Sequence, residues 1–509
     1  MSMGGPLEWS LVSGVLPTVL VGCGAVGFGF LLARRTRRWR LVVLPTVAVV
    51  SALGAWFLDW VVESWWRPFP DAVPALAVVW TGIVLAALGL AIGHFSHSRW
   101  WRKLAAVVAA LTVLAAGSNE INRFYGYYPN VAAVIGLPPP QQAPLPPIQS
   151  WAGQGSKQHI EPGPSLNRWR APRNMPAAGV VSEVEIPGVK SHFLARHGWV
   201  YLPPAYLTAR RPLLPVLILL PGQPGAPRDW IDAGKVITTM DAFAAAHRGL
   251  APVVVIPDPL RAALANPLCL DSRLGNVDTY LSSDVPSWIL GHLQVTPNYR
   301  YWAVGGFSNG GTCALQLAVF HPSIFPNFLD ISGPATPTLG SLSRTIDRAF
   351  GGDRAAYFRA EPLTELAKIA NMRTGAHGRS VYRHSFGVLT SGNEDMVSRL
   401  DPERVYAAGT AAGMTLRLLK LSGGHRWPIA SLALRDSLPL LAPKLGLSFE
   451  TTARVPTTPP KSVKRHCGST RHSVQVLNQL SARTVRPKWP PARTQPAPRH
   501  GGVLGHLSI

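Results

Sequence analysis

The sequence predicts two main parts, a four-helix transmembrane domain followed by an α/β domain with a mostly parallel, doubly wound sheet. Three observations predict this fold class. Four uncharged apolar stretches occupy the first 120 residues. Beyond residue 178, apolar runs that end in Gly or Pro alternate with stretches of helical spacing. Only 15% of the 509 residues are charged, against about 25% in an ordinary soluble protein.

The net charge of +23 is compatible with binding to nucleic acid or to an anionic membrane surface. The excess charge is concentrated in two short loops between the apolar stretches and in the C-terminal tail. No aromatic or glycine signature of nucleic-acid recognition accompanies it, so no nucleic-acid partner is predicted. The four cysteines are too few for a disulfide-built scaffold and lack zinc-binding spacing.

Residues 1–135 are predicted to form the transmembrane domain. A spanning helix needs about 20 mostly apolar residues. The first and third apolar stretches reach that length, the second does so with Asp59 at the interface, and the fourth is short. A cleavable signal peptide is not expected, because no Lys or Arg precedes the first stretch. The four stretches are 10–33, 41–58, 72–93 and 104–119.

The loops between these stretches predict the membrane topology. The sequence RRTRRWR (34–40) separates the first two stretches, and HSRWWRK (97–103) separates the last two. The loop between the second and third is mainly acidic. Because basic loops stay in the cytoplasm, both ends of the four-helix unit, and whatever follows it, are expected on the outer side.

Two segments flank the α/β domain. Residues 136–177 are Pro-rich at their start and are predicted to be a semi-rigid linker. Residues 449–509 are rich in Pro, Thr and Ser, with ten Lys and Arg and no Asp or Glu after residue 450, and are predicted to be disordered. Two interpretations of this tail stay open: it binds an anionic lipid or wall polymer, or it is an unselected extension without a function.

Residues 178–448 carry the strand and helix pattern of the α/β domain. Short apolar runs bounded by turn residues are typical of buried parallel strands. A helix is predicted over residues 229–249, and another directly after residue 308. The predicted strands are HGWVYL, PVLILL, APVVVI, YWAVGGF, FGVLTS and TLRLLKL.

A G-x-S-x-G motif, Gly306-Phe307-Ser308-Asn309-Gly310, follows one of these strands and opens a helix. A nucleophilic serine needs a turn so sharp that only small residues fit two places before and after it. No second match occurs in the chain. Ser308 is therefore the predicted nucleophile.

A nucleophilic serine needs a base, and the base needs an orienting carboxylate. His425 lies in the Gly-rich loop SGGHRW after a strand, and Asp395 ends the turn SGNED after another. The order Ser308, Asp395, His425 is that of α/β hydrolases. Glu394 is the alternative acid, and the alternative for His425 is an exposed loop histidine.

The developing oxyanion needs two backbone N–H groups aimed at it. One is expected from Asn309, the residue after the nucleophile. The other is expected from the loop LLPGQPG, at Gln223. The alternative interpretation is that this loop is a Pro-Gly turn with no role in binding the oxyanion.

Residues 178–448, about half of the chain, resemble the putative-esterase family of α/β hydrolases, which includes S-formylglutathione hydrolase, feruloyl esterases and the secreted mycolyltransferases. Many members have His-Gly where this chain has Pro221-Gly222. The family acid is the last residue of G-x-x-D, which favours Asp395. Four spans before such a domain resemble envelope esterases of high-GC Gram-positive bacteria. The matching stretches are PVLILLPGQPG, GNVDTYLSSDVPSWI, GGFSNGGTCALQLAVFHPSIFPNFLDISG, TSGNED and SGGHRWPIA.

The resemblance implies a membrane-anchored, extracytoplasmic serine esterase or acyltransferase. Its substrate would be an acyl ester of the cell envelope, such as a lipid, glycolipid or aminoacyl-phospholipid, cleaved through an acyl-enzyme. No cofactor is predicted, and no metal, because the aspartates at 271, 278 and 284 lack the EF-hand spacing. The alternative function is a catalytically inactive membrane scaffold or binding protein. The oligomeric state is left open.

Two cysteines, Cys269 and Cys313, lie in the α/β domain. An extracytoplasmic location permits a disulfide between them. Sequence separation does not show whether their Cα atoms come close enough, so a disulfide and two buried thiols both stay open.

Overall fold

A computed structural model describes most of the first 447 residues. The described ranges are 5–66, 72–96, 99–148, 162–163, 166, 168–375, 380–395, 398 and 400–447. The predicted tail at 449–509 lies outside the described residues, and so does much of the predicted linker.

Four long helices form the N-terminal part, and all four are long and apolar enough to cross a membrane. Short π-helical turns, Trp39–Val43 and Val61–Trp66, extend the second helix at both ends. We call these four helices the apolar bundle. They are α1 (Val15–Leu32), α2 (Leu44–Trp60), α3 (Ala75–His94) and α4 (Trp100–Tyr125).

The fourth helix is longer than the sequence predicted. It has 26 residues and continues past the apolar stretch through a polar segment, in which Glu120 pairs with Arg123 one turn later at 2.6 Å. It ends at Gly126, whose φ of 66° is the left-handed conformation that terminates many helices. The helix therefore extends beyond the short apolar stretch 104–119 at both ends.

Helices α1 and α4 approach each other closely at two glycines of α1. A Cβ atom on Gly24 would lie 2.7 Å from the Ala116 side chain, and one on Gly27 would lie 2.9 Å from the Ala109 carbonyl oxygen. Small residues at such a contact let helix backbones approach. The contact lies in the half of α1 that is farther from the α/β domain.

The α/β domain is built on an eight-stranded sheet in the order β1-β2-β4-β3-β7-β8-β9-β10. The first two strands are antiparallel to their neighbours, and the other pairs are parallel. This confirms the predicted fold class; β1 and β8 were not predicted. The strands are β1 (Val180–Val184), β2 (Gly198–Leu202), β3 (Val216–Leu220), β4 (Val253–Ile256), β7 (Trp302–Phe307), β8 (Asn327–Ile331), β9 (Phe386–Gly392) and β10 (Thr415–Leu421), with a separate hairpin of β5 (Asp271–Ser272) and β6 (Gly275–Asn276).

Helices pack on this sheet, and the central strands β3 and β7 are buried along their whole length. The predicted helix over 229–249 is two helices, because Lys235 adopts a φ of 53° that interrupts it. The remaining helices are α5 (Val131–Val134), α6 (Asp229–Asp232), α7 (Val236–Ala246), α8 (Val277–Thr279), α9 (Val285–His292), α10 (Asn309–Phe320), α11 (Leu342–Phe350), α12 (Arg354–Ala360), α13 (Pro362–Gly375), α14 (Asp401–Ala412) and α15 (Trp427–Leu441).

The end of α4 packs directly on the α/β domain. A Cβ atom on Gly126 would lie 2.6 Å from Cδ of Pro428. The Arg426 guanidinium lies over the Phe124 ring, 5.4 Å from its centroid. These contacts join the apolar bundle to the loop that carries His425.

The Pro-rich segment after the bundle follows the edge of the sheet. The backbone N–H of Ala143 donates to the Val181 carbonyl oxygen at 2.9 Å, and the N–H of Val181 donates to Gln141 at 3.0 Å. This segment therefore extends the β1 edge between residues 141 and 143.

Cys269 and Cys313 form a disulfide with a Cα–Cα distance of 5.5 Å. It joins the loop before β5 to helix α10, five residues after Ser308. Replacing both with serine should lower the free energy of unfolding by about 4 kcal/mol, because the bond closes a 44-residue loop. We expect the thermal midpoint of the purified full chain to fall by roughly 10 °C.

The matched control for this prediction is Cys23→Ser, which removes an exposed free cysteine. It should leave the midpoint unchanged. An unchanged midpoint in the double variant would contradict the stabilising role of the disulfide.

Candidate active site

Ser308 lies on a sharp turn between strand β7 and helix α10. Its φ of 56° and ψ of −121° form a backbone conformation that a non-glycine residue rarely adopts. The backbone N–H of Ser308 donates to the Ile331 carbonyl oxygen of β8 at 2.8 Å. This is the strand-turn-helix geometry expected of a nucleophile on a G-x-S-x-G turn.

The two glycines of the motif are needed for backbone packing. A Cβ atom on Gly306 would collide with the backbone of Gly310. A Cβ atom on Gly310 would collide with the Leu220 carbonyl oxygen of β3 and lie 2.7 Å from the Pro221 carbonyl oxygen. The turn therefore fits against the neighbouring strand only without side chains at these positions.

The imidazole Nδ1 of His425 lies 2.9 Å from the Asp395 carboxylate. Asp395 is 0% exposed and also accepts two hydrogen bonds from Ser398, from its N–H at 3.1 Å and from its hydroxyl at 2.7 Å. The carboxylate is thus held in one orientation towards the imidazole.

The loops that carry Asp395 and His425 are joined through their backbones. The N–H of Glu394 donates to the Gly423 carbonyl oxygen at 2.9 Å, and the N–H of Gly423 donates to the Asn393 side chain at 3.0 Å. A Cβ atom on Gly392 would collide with the Gly423 carbonyl oxygen. This contact sets the spacing between acid and imidazole.

Glu394, the alternative acid, does not face the imidazole. Its side chain is 68% exposed and lies 3.9 Å from the Arg426 guanidinium. The carboxylate that bonds His425 is that of Asp395.

Aromatic rings fix the plane of the imidazole. The Phe307 ring stacks on the His425 ring with centroids 4.9 Å apart and an angle of 30° between their planes. Trp427 packs against Phe307, and Trp230 packs edge-on against Trp427. Because these rings are buried, the imidazole has a rigid wall on one side.

The electrostatics of the site favour an ionised Asp395 beside the imidazole. Burial by itself would raise the pKa of Asp395, but the hydrogen bond and charge of His425, together with the bonds from Ser398, hold this pKa well below its ordinary value. An ionised carboxylate can stabilise an imidazolium cation.

A second buried carboxyl group, Asp330, lies near the nucleophile. Its Oδ1 atom accepts the Gly333 N–H at 2.9 Å and packs against Gly311, in the first turn of α10. Burial raises the pKa of Asp330 to about 8. At neutral pH this group is mostly protonated, so it adds little negative charge beside the first turn of α10.

The loop after β3 lies beside the nucleophile. A Cβ atom on Gly222 would be 3.3 Å from the Cβ of Ser308. The Gln223 side chain donates to the Leu264 carbonyl oxygen at 3.1 Å. The backbone at 222–223 therefore lies next to Ser308.

Two charged residues hold the far end of this loop. Arg196 donates to the Gly225 carbonyl oxygen at 2.9 Å and makes two 2.8 Å bonds to the buried Asp258 carboxylate. Asp229 accepts the Ala226 N–H at 2.7 Å. Hydrogen bonds to Arg196 and Asp229 therefore hold this end of the loop in place.

Asp229 also receives a hydrogen bond from outside the α/β domain. The Tyr127 hydroxyl, two residues beyond α4, donates to it at 2.7 Å. Burial raises the pKa of Asp229 to about 6, although the bonds from Tyr127 and Ala226 oppose the rise. Burial likewise raises the pKa of Tyr127, so its hydroxyl stays a donor. The segment after α4 thus supports the loop beside Ser308.

Ser308, His425 and Gln223 line one cavity of about 660 Å³, and residues of the apolar bundle line its other side. The sequence reasoning did not predict this contribution from the bundle. The aromatic run FYGYY at 124–128, four residues after the end of the fourth apolar stretch, is the signal that points to a contact there, because such rings need a partner surface.

Residues 195–372 match a family model that is described as "Putative esterase". An uncharacterised protein of Corynebacterium glutamicum is 30% identical over 446 residues, which cover 86% of this chain and 99% of the relative. The chain belongs to the putative-esterase family. The relative's aligned length exceeds that of the α/β domain. The family model includes Ser308 and Gln223 but ends before Asp395 and His425.

Two solved structures are similar to about half of this chain. A ferulic acid esterase is 17% identical, with a TM-score of 0.45, over 54% of this chain and 99% of its own. An S-formylglutathione hydrolase from Agrobacterium tumefaciens is 18% identical, with a TM-score of 0.44, over 53% of this chain and 98% of its own.

Proposed function

We propose that this protein is a membrane-anchored serine esterase or acyltransferase that acts on an acyl ester of a cell-envelope lipid. The observation that carries the proposal is that Ser308 and the hydrogen-bonded pair of His425 and Asp395 meet at one cavity. Family membership supports ester chemistry at this site.

The proposed reaction has two halves. The Ser308 hydroxyl oxygen attacks the ester carbonyl while the imidazole of His425 takes its proton, and the backbone N–H groups of Asn309 and Gln223 bind the oxyanion. The imidazolium then returns the proton to the leaving alkoxide, which departs as an alcohol. Asp395 stabilises the imidazolium throughout.

The second half regenerates the enzyme. Water or an acceptor hydroxyl loses a proton to His425 and attacks the acyl-enzyme carbonyl. The bond to the Ser308 oxygen breaks, and His425 returns the proton to that oxygen. Water yields a free acid and an acceptor hydroxyl yields a new ester.

We place the active site on the outer side of the membrane. The basic loops at 34–40 and 97–103 favour a cytoplasmic location between the helices, which puts the end of α4 and the α/β domain outside. The Cys269–Cys313 disulfide supports this side, because disulfides persist in oxidising environments.

The test is covalent labelling by a fluorophosphonate probe, which reacts with activated serines. The full-length protein should be labelled and Ser308→Ala should not, because the probe forms its bond with the missing oxygen. A membrane-impermeant form of the probe should label the protein equally well in intact cells.

A folded wild-type protein that stays unlabelled would overturn the proposal in favour of an inactive scaffold. Labelling that appears only after cell lysis would leave the chemistry standing and contradict the outer location.

A further inference from the structure

The cavity beside Ser308 has two walls from different parts of the chain. One wall comes from the α/β domain and includes Gly222, Phe307 and Trp427 around the catalytic groups. The other comes from the apolar bundle and includes Leu20 of α1 and Ala115 of α4. An α/β domain released from the bundle would lack the second wall.

The bundle wall runs lengthwise along α4. Its lining residues on that helix lie between Ala115 and Tyr125, a segment of eleven residues that spans about 15 Å of helix. Leu20 lies within the second turn of α1. The cavity therefore extends from Ser308 past the polar end of α4 to the apolar stretch of that helix at Ala115, and to Leu20 of α1.

A close contact between α1 and α4 lies at the far end of this space. Gly24 of α1 meets Ala116 of α4, where an added Cβ would lie 2.7 Å from the Ala116 side chain. Gly24 lies one turn beyond the cavity-lining Leu20. The same added Cβ would lie 3.7 Å from Cα of Val113, which is two residues beyond Ala115 in the direction away from Ser308. The lining residues of the cavity therefore end where α1 and α4 come into contact.

We propose that a hydrocarbon chain of the lipid ester lies in this cavity against α1 and α4, with the ester carbonyl at Ser308. The inference rests on the proposed function and adds that the apolar bundle forms the substrate-binding wall. The bundle wall also carries Ser118, Asn119 and Asn122, but its apolar groups, among them Leu20, Ala115 and Ile121, favour hydrocarbon over a polar acyl or alcohol group. The chain belongs either to the acyl part or to the alcohol part of the ester, and these two sources are separable by experiment.

The experiment compares short and long substrates with the purified full-length protein in detergent. An acyl series uses p-nitrophenyl butyrate and dodecanoate, and an alcohol series uses butyl and dodecyl acetate. We expect wild type to prefer the long member at least tenfold in kcat/KM in one series, and the series that shows it identifies the source of the chain.

Ala115→Phe tests the wall, because a phenyl ring there would occupy the cavity at the end farther from Ser308. The preference for the long ester should fall at least tenfold. The control is Leu114→Phe, at a neighbouring position of α4 that is 40% exposed and does not line the cavity. It should keep the wild-type preference. Ser118→Leu narrows the same wall one turn nearer Ser308 and replaces Ala115→Phe if that variant does not fold.

The outcomes separate the two proposals. A wild type that hydrolyses esters and reacts with fluorophosphonate, but whose preference is absent or is unchanged by both wall variants, overturns the hydrocarbon wall and leaves the serine esterase standing. A wild type that neither labels nor hydrolyses any ester overturns the proposed function, and the inference falls with it.

Discussion

Asp395→Asn should lower kcat by about 10³- to 10⁴-fold, the loss expected when the acid of a Ser-His-Asp triad becomes an amide. The measured quantities are kcat on a short p-nitrophenyl ester and the rate of fluorophosphonate labelling. Both should fall together, because both depend on His425 taking the Ser308 proton.

The hydrogen bonds of Asp395 explain why the amide would hold the wrong tautomer. One carboxylate oxygen accepts the Ser398 N–H, which cannot accept in return, so the amide NH₂ is disfavoured there. The other oxygen faces the Ser398 hydroxyl and His425, and a hydroxyl can rotate to accept. The NH₂ would therefore point at Nδ1 of His425, leaving the proton on Nε2.

Glu394→Gln is the matched control, because Glu394 is the neighbouring carboxylate and its side chain is exposed. Its kcat should stay within about twofold of wild type, as for most exposed substitutions. A large loss in Glu394→Gln with wild-type activity in Asp395→Asn would reverse the assignment of the acid.

Much of the fold was predictable because its signals are local. The central strands are uninterrupted apolar runs, such as VLILL at 216–220, which is the composition of a strand buried on both faces. The edge strand β1 was missed because its sequence VVSEV mixes polar with apolar residues. Its pairing with β2 depends on the chain folding back on itself, and a short stretch of sequence does not reveal that pairing.

The candidate site was also predictable where its signals are local and not where they depend on distant parts of the chain. Ser308 was predictable because the turn requires glycines at 306 and 310, and this whole pattern lies within five consecutive residues. The residue pattern alone did not separate Asp395 from Glu394, because both follow the same strand, and only the family resemblance favoured Asp395. In the structure, the approach of the Gly423 loop brings Asp395 to His425. The wall from the apolar bundle was not predictable, since it depends on α4 meeting Pro428 some 300 positions later.

Gly310→Ala should lower kcat by at least 100-fold, although it adds only one methyl group and removes no functional atom. The new Cβ would collide with the Leu220 carbonyl oxygen of β3 and lie 2.7 Å from that of Pro221. Both are backbone atoms, so the start of α10 has to move instead. Because Ser308 is two residues away, its hydroxyl moves with the helix, and a displacement of about 1 Å is enough for such a loss.

The same collision should destabilise the fold by about 1–3 kcal/mol, the usual cost of an overpacked site. Gly291→Ala is the control, because an added Cβ on that glycine of α9 would have no atom within 4 Å. It should keep wild-type labelling and thermal stability. If Gly310→Ala folds and is labelled at the wild-type rate, the packing of the turn on β3 does not position Ser308. The reactivity of Ser308 towards the probe would then not depend on the distance between α10 and the sheet.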